Sequence, residues 1–407
     1  MLYFKNRELA ETYHVSDRTI RNWIEETKQG KLQLSLHEQG GRSFVANTTK
    51  NLSIIEELVS ARKKFRPHHT FKVITPKPEF YKFYNPAQIY DILTNIEIHH
   101  EIPRQYNYFD GGAHAWDAYV KRLASEETSN IFNRGVELLN DSYYYIDNAI
   151  GERKRVNIID LGGGNAMPAR SLIAHLIKQG VMGRYVDLDI SKEMLAIARK
   201  NIDKWFGDTV AFEGYETDIN YDRFANILAE EYLGPNSEDT INIVLFLGMM
   251  LANLRTPDGA LRVIHDSLGL NDLLVYTNKL DTPTTRRFFD FNVREDEPVL
   301  PPIHRLVIDL LNIDKSMYDL DLGYDSARKE RYERIRFNTA VTIQFDFAEG
   351  SRSLDLNKGD SILVWRARQQ GALDVIHQFD RNDFYMLHSS QTDDQEYILT
   401  VSRVKSE

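Results

Sequence analysis

The chain has 407 residues, of which 42% are hydrophobic and 27% charged, with a net charge of −10 and no cysteine. Its length exceeds one ordinary domain, so two or three are expected, and the missing cysteines exclude disulfides, thiolate zinc sites and thiol catalysis. No run of about 18 apolar residues suggests a membrane span. The first residues also lack the apolar core and small-residue site of a secretory leader, so a cytoplasmic location is expected.

Charge is unevenly spread. Residues 1–66 hold twelve Lys/Arg against eight Asp/Glu, a net +4, which leaves −14 on the rest. Within this basic head, Leu9, Ala10 and Tyr13 share one helical face. Ser16 then caps a second helix whose apolar residues Ile20, Trp23 and Ile24 follow i, i+3, i+4 spacing. The stretch "LQLSLHEQGGRSFVA" alternates and breaks at Gly40-Gly41, as a hairpin would. The pattern "ELA…VSDRTIRNWI" resembles the N-terminal helix-turn-helix of the MerR and excisionase families. That resemblance implies that Arg18, Thr19, Arg21 and Asn22 face a major groove, with Arg42 of the wing on phosphate. The alternative is a protein-docking module whose arginines form a solvated face.

A further helix is expected over residues 51–65. The stretch "ITPKPEFYKFYNP", with three prolines, reads as an extended aromatic connector packed against the body. These signals predict a winged helix-turn-helix over 1–65, a connector over 66–102, and a large α/β domain over 103–407.

The informative stretch is "RVNIIDLGGGNAMPARSLIAHLIKQG", Arg155 to Gly180. It reads as an apolar strand, a glycine turn and an amphipathic helix. A P-loop would need a Lys-Ser or Lys-Thr pair after the glycines, and none follows. A dinucleotide fingerprint beginning at Gly162 reaches Gly164 but finds Met167 at its third glycine. The S-adenosylmethionine site of a class I methyltransferase fits better. Asp160 ends strand one and would face the cofactor's ammonium, while Gly162 and Gly164 allow close backbone approach. Strand two ends in Asp189, placed for the ribose hydroxyls, with Asp187 the weaker candidate; strand three ends near Asp218, placed for the adenine amino group. "INIVLFLGMMLANL" and "NDLLVYTNKLD" supply strands four and five, so a Rossmann-like, parallel doubly wound sheet is expected. An acid after strand two also suits NAD, so Asp189 alone does not decide between the cofactors.

Three stretches, "IPRQYNYFDGGAHAWDAY", "FLGMMLANL" and "RYERIRFNTAV", resemble the histidine-specific, S-adenosylmethionine-dependent methyltransferases related to the ergothioneine-pathway enzyme. The resemblance implies that Gly162, Gly164, Asp189 and Asp218 contact the cofactor and that Leu247 and Gly248 flank the transferred methyl. It places Tyr108 in the acceptor pocket with Asn253 behind it, and a β-rich substrate cap roughly within 290–380. The family's imidazole-reading acid falls on Arg336, in Ile335-Arg336-Phe337-Asn338. Arg336 and Asn338 are therefore expected to contact the acceptor, and a cation there argues against histidine. Tyr108 and Asp110 are the candidates for holding an acceptor amine in line.

Amino-group DNA methylases carry an Asp/Asn-Pro-Pro-aromatic turn where this chain has Gly248-Met249-Met250, and cytosine C5 methylation needs a cysteine. The paired histidines His68-His69 and His99-His100 lack metal-ligand spacing, so no metal is expected. The leading expectation is a methyltransferase acting on a small, amino-acid-like acceptor, with a head that binds DNA or a partner. The competing readings are an S-adenosylmethionine-sensing DNA-binding regulator without turnover and a nucleic-acid methyltransferase. A homodimer is compatible with the sequence.

Overall fold

The computed structural model describes residues 3–13, 15–64, 71–109, 111–233, 237–283, 299–347 and 350–405. The chain divides into two units, Met1–Thr70 and Phe71–Glu407.

In the first unit, helix α1 (Asn6–Thr12) is followed by α2 (Asp17–Lys28). Ser16 Oγ accepts the Thr19 N–H at 3.1 Å and so satisfies one of the open donors at the start of α2. Ile20, Trp23 and Ile24 pack with Leu9, Ala10, Val45 and Ile55 in one small core. Strands β1 (Leu36–Gln39) and β2 (Arg42–Val45) pair antiparallel. Between them Gly40 and Gly41 both have positive φ, +58° and +73°, as a two-residue type I′ turn requires. Helix α3 (Thr49–Lys64) completes the unit. Its Asn51 is fully buried; it accepts the Ser35 N–H and donates to the Ser35 and Ala46 carbonyls, tying α3 to the chain flanking the hairpin.

The second unit opens with β3 (Lys72–Ile74), α4 (Pro78–Phe83) and α5 (Pro86–Thr94). The expected extended connector is therefore largely helical. Pro78 and Pro86 sit in the first helical turn, where a missing N–H costs nothing, and Asn85 with Gln88 forms a capping box. Helices α6 (Gly111–Ser125), α7 (Ile131–Asp141) and α8 (Tyr143–Ile150) lead into the sheet.

That sheet is built from β4 (Arg155–Leu161), α9 (Arg170–Gln179), β5 (Met182–Asp189), α10 (Lys192–Phe206), β6 (Ala211–Glu216), β7 (Thr240–Phe246) and β8 (Leu273–Lys279). These five strands are parallel. They are nearly continuous runs of buried apolar residues in β4, β7 and β8, because helices cover both faces. Five further strands, β9 (Tyr318–Asp325), β10 (Glu330–Phe337), β11 (Val341–Phe347), β12 (Gly350–Leu356) and β13 (Ser361–Arg368), make a β-rich region, called the cap below for its place in the sequence. They form two three-stranded sheets, β13-β10-β9 and β12-β11-β3. Phe80, Tyr84, Ile89 and Ile92 from the expected connector share one core with Ile335, Ile343, Phe345 and Ile362, so the cap begins far upstream of residue 290. Strands β14 (Phe384–Gln391) and β15 (Tyr397–Val404) then return antiparallel to give the seven-stranded order β14-β15-β8-β7-β4-β5-β6. The direction of winding reverses between β4 and β7, and in open α/β sheets ligands bind in the crevice beyond the strand ends at that point.

Candidate active site

The chain leaves β4 through Gly162 and Gly164, at φ +59° and +60°. A Cβ on Gly162 would lie 2.3 Å from Met250 Cε, and one on Gly164 would lie 2.9 Å from Trp116 Nε1. Between them, a Cβ on Gly163 would sit 2.8 Å from both the Asp160 carboxyl and Asp187 Oδ1, and the Gly163 N–H donates to Asp187 Oδ1 at 3.2 Å. The turn is therefore held against two carboxyl groups from below, and its upper surface opens on the crevice.

Three acids converge here. Asp160 is 2% exposed and accepts the Tyr185 hydroxyl at 2.7 Å. Burial, opposed by that hydrogen bond and reinforced by the Asp189 charge, pushes its carboxyl up to about 7. Burial likewise raises Asp189 to about 7, against N–H donors from Ser191, Gly164 and Ile190. Asp187, paired with Asp160 across the strands and two residues before Asp189 in β5, is driven well above the usual carboxylate range by burial and by both neighbouring acids. The tyrosine that organises the cluster gave no motif signal. Asp218, just past β6, accepts the Asn220 N–H at 3.0 Å and its side-chain amide at 2.7 Å, and burial raises its carboxyl too.

From β7, Leu247 and Gly248 reach the same crevice, and the Gly248 N–H donates to Thr277 Oγ1 at 2.8 Å. Asn253 lines it as well, with a buried Oδ1 that has no hydrogen-bond partner among the described residues. Asp160, Gly162, Gly164, Asp189 and Asp218 all line this one cleft of about 1290 Å³. A site for one drug-sized ligand is typically about 300–1,000 Å³, so the cleft has room for a cofactor and a second molecule.

The cap end is walled by Tyr108, Trp116 and Arg104. The Tyr108 ring meets Trp116 edge-on at 5.5 Å, and the Arg104 guanidinium lies 5.7 Å from the Tyr108 centroid. Gly112 fixes this wall: a Cβ there would fall 1.8 Å from the Asn107 carbonyl oxygen, so only glycine lets α6 start so close to the Tyr108 segment. Asp110 lies outside the described residues.

Two expected acceptor contacts are corrected. Arg336 points to solvent, its side chain 54% exposed and paired with Asp321 at 2.7 Å. Strand β10 alternates, and the residues it turns inward are Arg331, Glu333, Ile335 and Phe337. Glu333 is the β10 residue that lines the cleft. Asn338, past the end of β10, donates its backbone N–H to the Met317 carbonyl and does not line the cleft. In the first unit Arg18, Arg21, Asn22 and Arg42 are exposed, with Arg21 paired to Asp17. Thr19 is 8% exposed with Oγ1 3.0 Å from Ser16 Oγ, so it belongs to the start of α2 and not to a groove-facing surface.

A family model described as "Histidine-specific methyltransferase, SAM-dependent" matches residues 86–286, a span that holds the glycine turn and all three strand-end acids. The chain is an S-adenosylmethionine-dependent methyltransferase. No curated protein matches it. Among solved structures, an S-adenosylmethionine-dependent methyltransferase from Clostridium acetobutylicum is 8% identical, covering 72% of this chain and 99% of its own, at TM-score 0.36. The magnesium protoporphyrin IX methyltransferase from Synechocystis with bound SAH is 12% identical, covering 74% and 98%, at TM-score 0.39. A Pyrococcus horikoshii protein is 14% identical, covering 73% and 100%, at TM-score 0.40.

The methyltransferase's own residues fit its cofactor. A glycine turn with no side chains of its own, buried carboxyl groups, and an Asn253 Oδ1 without a hydrogen-bond partner among the described residues all border one cleft.

Proposed function

We propose that the enzyme methylates a small, amino-acid-like acceptor held between the glycine turn and the cap. In this reading Asp160 faces the cofactor's ammonium, Asp189 its ribose and Asp218 its adenine, while Gly162 and Gly164 admit the methionine end. Leu247 and Gly248 flank the reacting carbon, and Tyr108 and Asn253 border the acceptor. When bound, the cofactor supplies an electrophilic methyl on a sulfonium. The protein's task is then to align the acceptor and exclude water. The observation that carries the reading is one cleft in which strand-end acids and a capped, aromatic-walled chamber share a volume large enough for two molecules.

Arg336 no longer argues against histidine, because it faces solvent, and the cap presents an acid, Glu333, to the cleft. L-histidine is therefore the first acceptor to test. Incubation with S-adenosylmethionine and a panel of amino acids and amines, read by mass spectrometry, should show a product heavier by one methyl for hydrogen replacement. Cofactor binding without turnover of any amine overturns the acceptor reading and leaves a sensor.

The first unit is proposed as a winged helix-turn-helix that binds duplex DNA. Its net +4 charge, the hairpin after α2 and the exposed Arg18, Arg21 and Arg42 support this reading.

A further inference from the structure

At the cap end of the cleft two buried titratable side chains face each other, and none of the roles above uses the pair. His304 ends the short turn Pro302–His304, and Glu333 comes from the inward face of β10. His304 Nδ1 lies 2.8 Å from Glu333 Oε2, with the side chains 7% and 11% exposed. The imidazole lies nearly parallel to the Trp365 ring, at 19° and 5.6 Å between centroids. All three residues line the cleft.

A carboxylate offers only acceptor oxygens, so Nδ1 must carry the hydrogen and Nε2 the lone pair. Nε2 makes no hydrogen bond among the described residues. Nε2 is not among the buried side-chain atoms left without a partner, so with no protein hydrogen bond it opens on the cleft, where an acceptor can reach it. Burial holds this imidazole below its ordinary basicity; the hydrogen bond and charge of Glu333 oppose that, and the Arg104 charge adds to it. The ring is thus neutral near pH 7 and able to accept a proton. Arg104 also stacks over Tyr108, Tyr108 meets Trp116, and Trp116 Nε1 crowds Gly164. One continuous wall therefore runs from the dyad to the glycine turn.

We propose that His304, oriented by Glu333, is the base that deprotonates the acceptor nitrogen for methyl transfer. The proposal rests on the small-amine reading. An acceptor ammonium N–H bond breaks, its proton goes to His304 Nε2, and the Nδ1–H bond to Glu333 steadies the imidazolium. The freed nitrogen lone pair forms the bond to the methyl carbon as the carbon–sulfur bond breaks, and that electron pair leaves with sulfur as neutral S-adenosylhomocysteine. The geometry is that of a histidine held in one tautomer by a carboxylate, the arrangement that general bases share.

The test uses the full chain. Long-range proton–nitrogen NMR of the unmodified protein should show His304 neutral at pH 7, with the hydrogen on Nδ1. His304→Gln should bind S-adenosylhomocysteine as tightly as the unmodified enzyme, yet lose about 10²–10⁴-fold in kcat. Its residual rate should climb with pH as the free amine becomes abundant. Glu333→Gln should shift the His304 tautomer populations and fall between the two in rate. The assay uses L-histidine, or whichever amine of the panel the unmodified protein methylates. Hydrogen on Nε2, an imidazolium at pH 7, or undiminished kcat in His304→Gln overturns the dyad alone. If the unmodified protein methylates no amine, the small-amine reading falls and the dyad with it.

Discussion

The Tyr185 hydroxyl donates to Asp160 Oδ2 at 2.7 Å beneath the glycine turn, and Asp187 and Asp189 are buried beside that contact. With Asp160 and Asp189 both near 7, the free site holds protons that an ammonium and ribose hydroxyls would displace. Affinity for S-adenosylhomocysteine should therefore rise from pH 6 to pH 8 and level off above. Titration calorimetry in two buffers of different ionisation enthalpy should register proton release on binding near pH 6.5. Tyr185→Phe removes the donor that favours ionised Asp160, so the rise should move to higher pH. An affinity flat across this range would mean that these acids do not meet the cofactor.

The same acids set a stability trend in the unliganded protein. Their folded values lie above the roughly 3.9 of an unfolded aspartate, so the folded state keeps protons that the unfolded chain releases. The contribution is complete below about pH 4 and disappears as pH rises through about 7. Calorimetric melting of the free protein should show this contribution decline between about pH 4 and pH 7 and level off above, and saturating S-adenosylhomocysteine should reduce the decline. Replacing Asp187 by Asn should flatten the curve, because an amide keeps no proton to lose.

Arg336 offers a sharp negative expectation. Its side chain is over half exposed and its half-buried partner Asp321 lies outside the cleft, so Arg336→Ala should leave the melting temperature nearly unchanged. The KM for the acceptor should stay within about twofold of the unmodified value. A large rise in KM would place that side chain in the chamber after all.

Gly112→Ala should be disruptive even though alanine favours helices. The new methyl would meet a backbone carbonyl, which cannot swing aside as a side-chain end can, so about 3 kcal/mol of destabilisation is expected. Relief would come by displacing the Tyr108 segment, so acceptor KM should worsen more than cofactor affinity. Gly111→Ala, with open space around it, is the control.

In the first unit, Arg18→Ala with Arg21→Ala should weaken binding to duplex DNA, and the affinity of the unmodified chain should fall steeply with salt. Thr19→Ala should act differently. It removes a buried hydroxyl at the start of α2, so it should lower melting temperature and leave the salt slope unchanged. Indifference of DNA affinity to salt would favour protein docking.

The parallel part of the sheet was legible because β4 and β5 are apolar runs closing on Asp160 and Asp189, with glycines where the backbone must take positive φ, whereas the antiparallel β14 and β15 gave no such signal. The cap was less so. Which way β10 turns its side chains depends on its pairing with β9 and β13, and a single-residue difference in register moves Arg336 out and Glu333 in. Prolines 76, 78 and 86 read as breakers, yet two of them start helices, because proline forbids helix interiors and not first turns. Tyr185 and His304 carried no local signal, since what matters in each is a contact with a residue distant in sequence.

Strand β3 pairs in parallel with β11, joining Lys72, Val73 and Ile74 to Val341, Thr342 and Ile343. Few contacts in a chain span so great a length, and such pairings are slow to form because the ends of a long loop must first meet. On the ribosome, the first unit and the segment behind it emerge well before their sheet partner exists. The parallel sheet can be assembled through β8 while the apolar side of α4 and α5 still waits for cover. The cap is thus a late-closing structure whose first piece is made early. A shortened chain ending before β11 would leave Phe80, Tyr84 and Ile89 without the strands that bury them, and should gather chaperones or aggregate even with an otherwise sound sheet.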